Sequence, residues 1–562
     1  MTKCLILTIL LFCSPLWATT YYVDNCVSVG NDLNKGTSPS APWLTINKVN
    51  TSKFNPGDSI LFQSTCTWRE QLTVPSSGSA GSPIMFGAYG TGAAPIISGA
   101  DILSSWIPEG AVYYSPASVQ PNQVFLDGQR LTLAASKAAL ATGQWWWDST
   151  NSYVWVYDNP SGYTIEASKR NYAIYGPCAS SYITISALET DKTNDRGIYI
   201  CGTGGLFLTG VTAQWNFQDG IRIDTGSRTV VTASTAAHNG ANGFDAYNTP
   251  SILLDHLISH DNCQLTSTVD TAGIAIAPDV ATTNATVQFS QVYNNGTGQS
   301  GEIGGGIWAD TVGNGLTVQY NLVYGNNLGG ILLDADNYAT VNYNVVYNNG
   351  TASSAQGAGI MFFADGNDTM TGHVAYGNTL WGNYQQGLVF EGYASGYPNS
   401  CVNNLAKNNI STGTVNGPNF YAQYGCENPG TDGSGNVYTY NDFGAASSKF
   451  TEWGHGTYYS TYPAWETATG NCGTPGCSHS VQTDPQFVNP AAAQFWLQSG
   501  SPAIDAGTNL GSPYNIGLLP ESSWPNSVLT GDQNAYGSGW EIGAFLYVPT
   551  ITPPSNLQAV AH

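Results

Sequence analysis

The sequence predicts an all-β protein built as a parallel β-helix with a small inserted β-sandwich, and three observations lead there. A strand-like motif that begins with glycine recurs through the middle of the chain. A short polar turn that ends in asparagine precedes most copies. The chain is rich in turn formers and only 9% of its residues are charged. The repeated glycines are 23 to 33 residues apart: Gly220, Gly243, Gly273, Gly306, Gly330, Gly359 and Gly387.

The length of the repeat identifies its architecture. A coil of about two dozen residues with several short strands and polar corners is one turn of a parallel β-helix. Asparagine at such corners accepts left-handed backbone angles and can hydrogen-bond to its equivalent in the next turn. A β-propeller would need a repeat of about 40–50 residues. Helical repeats would need strong helix formers instead of this density of glycine, asparagine and threonine.

Alternation within the motif assigns its two faces. The first and third residues after each glycine are apolar, as in Ile221/Ile223 and Ile331/Leu333, and are expected to point inward. The second and fourth point outward and mix carboxylates with aromatic rings. That mixture predicts a groove for glycans, and a solvated face with incidental acids is the alternative. The outward pairs are Arg222/Asp224, Asp245/Tyr247, Ala275/Ala277, Trp308/Asp310, Leu332/Asp334, Met361/Phe363 and Val389/Glu391.

The charge distribution excludes several classes of partner. The net charge is −22, and no lysine or arginine occurs between Arg228 and Lys407, a stretch that carries twelve carboxylates. Nucleic-acid binding requires basic patches, so we expect no nucleic-acid partner. A surface without cations does not easily neutralise a polyanion. We therefore expect a neutral or weakly acidic polysaccharide as the substrate, and a monomeric protein.

The N-terminus and the cysteines indicate export. Residues 1–18 combine one lysine, a short apolar run and a final small residue, as a cleaved signal peptide does. No later segment looks transmembrane, so we expect a secreted protein, extracellular or periplasmic, without a membrane partner. Near neighbours among the nine remaining cysteines suggest four disulfides and leave Cys263 as a buried thiol. The suggested pairs are Cys26–Cys66, Cys178–Cys201, Cys401–Cys426 and Cys472–Cys477.

Changes in residue pattern along the sequence divide the rest of the chain into four parts. Residues 19–100 are expected to hold the N-terminal cap and the first turns of the helix. Residues 101–170 read as alternating strands without the repeat, which predicts a small inserted β-sandwich. Residues 171–548 hold the repeats and a closing segment, and residues 549–562 form a proline-rich tail.

Both ends of the chain resemble those of secreted right-handed β-helix proteins, the pectate-lyase-like superfamily. The opening reads YYVDNCVSVGNDLNKGTSPSAPWLTINKV and FNPGDSILFQSTCTWREQLTV, and the close reads DPQFVNPAAAQFWLQSGSPAIDAG and WEIGAFLY. With the inserted sandwich and its segment VFLDGQR, the layout resembles β-helix glycoside hydrolases whose known activities include β-xylosidase. The resemblance implies a right-handed helix and a carbohydrate-active protein, although no catalytic motif matches residue by residue.

One pair of outward carboxylates has the spacing that glycoside hydrolysis needs. Hydrolysis of a glycosidic bond uses two carboxylates. Because neighbouring turns lie about 4.8 Å apart, equivalent outward acids fall about 5 Å apart. Asp310 and Asp334 are equivalent in successive repeats, and their repulsion would raise one pKa as an acid catalyst requires. Trp308 beside them is placed to stack on a sugar ring, so this pair is the predicted catalytic centre.

Other residues of the same face are predicted to support the reaction. Asp245 and Glu302 are further catalytic candidates, Glu302 from a longer insertion in its turn. Arg222 is expected either to orient a substrate hydroxyl or to form a salt bridge with Asp224 or Asp245. The predicted substrate-binding residues are Trp308, Tyr247, Arg222, Asp224, Phe363 and Glu391.

Three alternatives stay open. Hydrolysis requires no cofactor, but Ca²⁺ is a possible ligand because acid columns bind it, and Asp334/Asp336 and Asp365/Asp368 have suitable spacing. A Ca-dependent polysaccharide lyase acting on a uronate polymer would use Arg222 as its base. A non-catalytic glycan-binding β-helix protein would use the same aromatic residues as a hydrolase.

Two histidines at the corners are predicted to pack rather than to catalyse. His238 and His260 precede corner asparagines, where other turns have Tyr293, Tyr324 and Tyr347. A position that accepts tyrosine in most turns is a packing position. No Cys/His cluster has the spacing of a zinc finger, so we expect no structural metal finger.

Overall fold

The chain folds as a right-handed parallel β-helix in a computed structural model. The structure describes residues 18–28, 30–265, 271–277, 284–310, 315–334, 337–354, 356–364, 369–392, 401–423, 426, 433–445, 447, 450–454, 456–469 and 480–549. The predicted signal peptide, the predicted Cys472–Cys477 disulfide and nearly all of the tail lie outside these residues.

Three long sheets form the helix, and each turn visits them in the same order. Sheet 1 has 13 strands: Thr20–Val23, Ser59–Gln63, Ile84–Tyr89, Ile183–Ser186, Phe207–Thr209, Val230–Thr232, Leu253–Asp255, Thr286–Gln288, Thr317–Gln319, Thr340–Asn342, Val374–Tyr376, Leu405–Lys407 and Val437–Thr439. Sheet 2 has 11: Thr67–Trp68, Ile96–Ser98, Glu189–Asp191, Thr212–Gln214, Thr235–Ala237, Ile258–His260, Gln291–Tyr293, Leu322–Tyr324, Val345–Tyr347, Thr379–Trp381 and Ile410–Thr412. Sheet 3 has 13: Leu72–Thr73, Tyr172–Ser181, Arg196–Gly204, Ile221–Asp224, Phe244–Tyr247, Thr271–Ala277, Ile303–Asp310, Ile331–Asp334, Ala358–Phe363, Gln386–Glu391, Phe420–Gln423, Thr451–Trp453 and Tyr458–Tyr459.

Shorter elements flank the helix. The α-helices are Ile46–Asn50 and Tyr462–Thr469, and the 3-10 helices are Lys137–Ala139, Pro490–Ala492 and Gln533–Ala535. Three small sheets contain Met370–Thr371, Cys401–Val402 and Gly433–Ser434; Phe487–Asn489 and Gln494–Leu497; and Ile516–Leu518 and Thr530–Asp532. In the part of the chain described here, no helix is both long and apolar enough to cross a membrane.

Two small sheets interrupt the helix between Ala100 and Ser168. One contains Ala100–Ile102, Val124–Leu126, Gln129–Arg130 and Ile165–Ser168, and the other Ile107–Glu109, Val112–Pro116, Thr132–Leu133, Gln144–Asp148 and Tyr153–Val156. They share a core of their own around Val124, Trp145 and Val154. Arg130 joins this unit to the helix, because its guanidinium donates hydrogen bonds to the backbone oxygen of His238 at 2.9 Å and to Gln264 at 3.1 Å. Its extent as a domain stays a prediction.

Apolar side chains from all three sheets fill the helix. The inward positions predicted from alternation are buried, as Ile274, Ile331 and Leu333 show by being at most 1% exposed. Burying such a side chain contributes about 1.5–3 kcal/mol. The register predicted from the glycines is also confirmed, since Ile307 pairs with Ile331.

A ladder of buried asparagines joins successive turns between sheets 2 and 3. Each amide nitrogen donates to the side-chain oxygen of the next asparagine, as from Asn295 to Asn326 at 2.8 Å. That oxygen also accepts a hydrogen bond from the backbone N–H of the preceding asparagine. The left-handed angle expected at these asparagines belongs instead to the residue before them, for example Asp261 with φ 52°. The ladder runs through Asn216, Asn239, Asn262, Asn295, Asn326, Asn349 and Asn383.

Disulfides and the closing segment fasten the ends of the helix. Three of the suggested disulfides are present: Cys26–Cys66, Cys178–Cys201 and Cys401–Cys426. Cys263 is a free and buried cysteine, as predicted. The chain after residue 480 packs along the outside of the helix, where Trp524 donates to the backbone oxygen of Tyr320 at 2.6 Å.

Removing one asparagine from the ladder tests its contribution to stability. We expect Asn326→Ala to lower the free energy of unfolding by about 2–4 kcal/mol, because Asn295 and Asn349 would lose buried partners. The measurement is denaturant unfolding followed by circular dichroism. Gln319→Ala is the control: Gln319 bonds to Gln288 on the partly exposed outer face of sheet 1, and its loss should cost below about 1 kcal/mol. Equal losses for the two variants would contradict a structural role for the buried ladder.

Candidate active site

Two rows of outward side chains run along sheet 3, one from each outward position of the motif. The middle column follows the second position: Tyr199, Arg222, Asp245, Ala275, Trp308, Leu332, Met361, Val389, Tyr421 and Glu452. The outer column follows the fourth position, with Ala277 beside Asp310 by continuation of the register: Asp224, Tyr247, Ala277, Asp310, Asp334, Phe363, Glu391 and Gln423. All but one of the predicted site residues lie in these two columns.

The outer column places the two preferred carboxylates side by side. Asp310 and Asp334 are register partners at the ends of neighbouring strands. The spacing of strands puts their Cα atoms about 4.8 Å apart. Both side chains are partly exposed, and the residues before them, Ala309 and Leu333, are in the core. The backbone that carries the pair is therefore fixed by packing, while both side chains stay partly exposed, with Oδ1 of Asp334 buried.

Trp308 adjoins this pair in an unexpected setting. Its ring packs edge to face against Phe363, with centroids 6.0 Å apart, and the two residues are only 4% and 8% exposed. The indole nitrogen is buried and has no hydrogen-bond partner among the described residues. A buried donor without a partner costs about 1–3 kcal/mol. The nitrogen is thus a candidate contact for a bound ligand, while the role of both rings in substrate binding stays a prediction.

The middle column from Ala275 onward is apolar and buried, which the sequence did not indicate. Its residues pack with Phe363 into a second hydrophobic cluster outside the helix. The outward face is therefore not a uniform open row of acids and rings. From the turn of Ala275 onward, the exposed polar side chains of this face are concentrated in the outer column. The cluster contains Ala272, Ala275, Trp308, Leu328, Leu332, Ala358, Met361, Phe363, Val389 and Tyr421.

Before the apolar stretch, sheet 3 carries a network of charged groups. Arg222 pairs with Asp224 at 2.8 Å and with Asp245 at 2.7 Å, which is the salt-bridge alternative considered from the sequence. Arg196 pairs with Asp219 at 2.8 Å and with Asp195 at 3.1 Å. The network therefore sets four carboxylates against two guanidinium groups.

Half of this network was missed by the sequence reasoning. Arg196 and Asp219 stand immediately before the repeated glycines, and only the positions after the glycines were compared. Each occupies the same place in its turn, as the backbone bonds from Gly197 to Asp219 and from Gly220 to Asn242 show. Comparing the residue before each glycine would have found both.

Burial shifts the pKa of the Asp245 carboxyl group. Desolvation raises the pKa of Asp245 to about 7, and the nearby charge of Asp219 adds to the effect, whereas Arg222 opposes it. The paired carboxylates in turn raise the pKa of Arg222 above its usual range. Asp245 can thus hold or release a proton near neutral pH, but it lies two turns from Asp310.

Glu391 is a second acid in the outer column with a perturbed pKa. Burial, with a smaller effect from the charge of Glu452, raises its pKa to about 7. Phe363 stands between Glu391 and Asp334 in the column. Two strand spacings, about 10 Å, therefore separate the two carboxylates.

A gap in the outer column adjoins Asp310. Ala277 is the small residue between Tyr247 and Asp310, so those two larger side chains are about 10 Å apart along the column. The Tyr247 ring is held from one side by Arg222, whose guanidinium lies 4.7 Å from its centroid. Among the described residues of this column, only the methyl group of Ala277 stands between the ring and the carboxylate.

Glu302 is the predicted residue that the fold places elsewhere. It precedes the strand Ile303–Asp310 and lies eight residues from Asp310, roughly 25 Å along extended chain. The structure therefore does not bring Glu302 into the Asp310 pair. Of the predicted Ca²⁺ ligands, Asp336, Asp365 and Asp368 lie outside the described residues.

Comparisons with known proteins agree with the fold. The family model for the right-handed β-helix region matches residues 179–410. The solved structure of XylC in complex with xylose is similar with a TM-score of 0.55 and 14% identity, over 70% of this chain and 76% of that one. A lacto-N-biosidase structure from Eubacterium ramulus has a TM-score of 0.40 and 15% identity, over 75% of this chain and 67% of that one. Likeness at such identity establishes the fold alone.

One curated relative shares a short segment. A lacto-N-biosidase of Bifidobacterium longum subsp. longum is 41% identical over 76 residues, which is 13% of this chain and 5% of the relative. The chain therefore matches only a small part of that relative's length.

The raised pKa of Asp245 predicts a specific pH dependence of stability. The pKa of Asp245 is 3.8 in the unfolded chain and about 7 in the folded protein. An acid with such a raised pKa stabilises the fold fully below pH 3.8, and this stabilisation is lost as the pH rises to about 7. We expect Asp245→Asn to remove this loss, so that the variant gains about 3–4 kcal/mol relative to wild type between pH 4 and pH 8. The measurement is thermal unfolding across that range.

Asp224→Asn is the matched control for this experiment. It removes the other carboxylate that pairs with Arg222 but leaves the buried carboxyl group of Asp245 in place. Its pH profile should keep most of the wild-type slope, because burial is the largest cause of the raised pKa of Asp245 and the charge of Asp224 is a smaller one. If the stability of Asp245→Asn changed with pH as that of wild type does, the Asp245 carboxyl group of wild type would have an ordinary pKa.

Proposed function

We propose that the protein is a secreted glycoside hydrolase that cleaves a neutral or weakly acidic polysaccharide of xylan or glucan type. The observation that carries the proposal is the register of Asp310 and Asp334, two partly exposed acids on neighbouring strands. The short but strong likeness to a lacto-N-biosidase agrees with this reaction class. We expect the enzyme to act without a cofactor and as a monomer.

The spacing of the pair favours a retaining reaction. Retaining glycosidases hold their two carboxyl groups about 5–5.5 Å apart, and inverting enzymes about 6.5–9.5 Å apart. One carboxylate would attack the anomeric carbon while the other, protonated, donates its proton to the departing glycosidic oxygen. Water would then cleave the glycosyl–enzyme ester, with the second residue taking the proton from it. Repulsion between two acids this close favours the singly protonated state that the first step needs.

The surroundings of the pair favour a substrate without strong negative charge. No lysine or arginine occurs between residues 229 and 406, so the chain segment that carries the pair supplies no cation for a uronate. The partly exposed ring of Tyr247, in the same column as Asp310, instead offers a stacking surface. An aromatic ring is one of the groups with which neutral sugars are bound.

The lyase alternative is weakened by the state of its proposed base. A lyase would need a group that accepts a proton from the sugar ring. Arg222, its candidate, is held by Asp224 and Asp245, and these carboxylates raise its pKa further. An arginine in that setting retains its proton.

Removing either carboxylate tests the proposed centre. We expect Asp310→Asn and Asp334→Asn each to lower kcat/KM on the true substrate by roughly 10²–10⁴-fold, because each removes a proton-transfer or nucleophilic group. The measurement is release of reducing ends from a panel of xylans, glucans and uronate polymers. Asp255→Asn, a partly exposed acid on sheet 1, is the control and should keep wild-type activity. Full activity in both pair variants would place the catalytic groups elsewhere.

The stereochemistry of the first product tests the spacing argument separately. We expect the newly formed reducing end to keep the anomeric configuration of the cleaved bond, because the pair leaves no room for water between acid and base. Proton NMR during the first minutes of hydrolysis, before mutarotation, distinguishes the anomers. Inversion would point to a more distant pair, such as Asp334 with Glu391.

The same assay separates the other two readings of the site. Products that absorb in the ultraviolet and require Ca²⁺ would identify a lyase. Saturable binding of a glycan with no product from any member of the panel would identify a non-catalytic binding protein. Both outcomes would refute the hydrolase proposal.

A further inference from the structure

A cluster of two histidines and one aspartate lies at the turn between sheets 2 and 3, at the edge of sheet 3 opposite to Asp310. His238, His260 and Asp261 bring one ligand atom each within 4.8 Å of one another. The pairing of Ala237 with His260 shows that His238 aligns with Asp261, and not with the tyrosine position to which the sequence assigned it. His260 does occupy that position, since it pairs with Tyr293.

Stacking fixes the orientation of both imidazole rings. His238 stacks on Trp215 with centroids 4.3 Å apart, and His260 stacks on Tyr293 at 4.8 Å. The two imidazoles stand at 81° to each other with centroids 5.5 Å apart. Imidazoles that share a zinc ion at about 2.1 Å have centroids about 5–6 Å apart. The separation of the two ring centroids therefore matches that of two imidazoles that share one ion.

Asp261 completes the set with a carboxylate. Its Oδ2 lies 2.7 Å from Nδ1 of His260, a contact that shares one proton. A metal ion between these atoms would displace that proton, as ion binding to histidine generally does.

We propose that His238, His260 and Asp261 bind one divalent transition-metal ion of the zinc class. Two imidazoles and one carboxylate are a common ligand set for Zn²⁺ and leave the fourth position for water. Nitrogen ligands favour Zn²⁺, Ni²⁺ or Cu²⁺ over Ca²⁺, which prefers oxygen. The site is therefore distinct from the Ca²⁺ site considered for the acid column, and it does not depend on the proposed hydrolase activity.

The position of the site indicates a structural role for the ion. The backbone oxygen of His238 accepts a hydrogen bond from Arg130, which docks the two small sheets onto the helix. An ion held by His238 and His260 would cross-link successive turns at this docking point. The positive charge of Arg130 opposes a cation, and the carboxylate of Asp261 offsets it.

The chain contains a matched control pair. His256 contacts Asp255 through Nδ1 at 2.8 Å and packs on Phe289 at 5.1 Å. Like His260, it combines a neighbouring aspartate with an aromatic ring. Within the described residues, no third ligand group lies close enough to complete a site there.

Titration of the chelator-treated protein with ZnSO₄ by isothermal calorimetry tests the proposal. We expect one ion per chain in wild type, and at least about tenfold weaker binding in His238→Phe and His260→Phe. Phenylalanine preserves the ring stacking, and Phe289 shows that it tolerates the left-handed backbone of a corner position such as His238. His256→Phe should bind zinc as wild type does.

Thermal unfolding supplies the second readout. Zinc should raise the melting temperature of wild type and His256→Phe but not that of either site variant, since an ion stabilises only a fold that binds it. Asp261→Asn, which keeps a hydrogen-bonding oxygen, should weaken binding without unfolding the protein. Absence of zinc binding by wild type, or equal weakening in His256→Phe and His260→Phe, would overturn the proposal.

Discussion

Parallel pairing between successive turns is the constraint on which the rest of this protein depends. Each strand hydrogen-bonds to the equivalent strand one turn away, so equivalent residues are stacked about 4.8 Å apart along the whole helix. The asparagine ladder fixes this register from within, because a shift by one residue would break a chain of buried amide bonds. Side chains at one position of the repeat therefore stack on side chains from the same position of the next turn, whether these are apolar, aromatic or charged.

Because equivalent positions stack, charges of the same sign repel each other along a column. The structure separates or compensates such charges in different ways. Around Arg222 the acids are compensated by guanidinium groups, although not completely, and burial leaves Asp245 with a pKa near neutrality. Farther along, Phe363 separates Asp334 from Glu391. Only at Asp310 and Asp334 do two acids adjoin within the described outer column. Neighbouring carboxylates influence each other's protonation, and pairs of this kind are characteristic of functional sites.

Periodicity made much of the fold predictable, whereas contacts between different columns were not. The glycine spacing predicted the register of sheet 3, and near neighbours predicted the disulfides that the structure describes, because both follow from repetition alone. The burial of Trp308 and Met361 was not predicted, since it depends on packing outside the repeat. Arg196 and Asp219 were missed because they precede the glycines. His238 was misaligned by one residue, since a histidine–asparagine pair looks the same whether it occupies one corner position or the next.

The connections that follow the outer column differ in length. Five residues separate Tyr247 from the next sheet 1 strand at Leu253, but thirteen separate Glu391 from Leu405. Both strands are fixed by the helix, so the length of the connection can change without changing the register of the strands it joins. Asp310 and Asp334 occupy such ends, with their preceding residues anchored in the core. Under the proposed function, the regular helix would fix the spacing of the backbone that carries the two carboxylates, and connections that are free to vary in length would set which sugar reaches them.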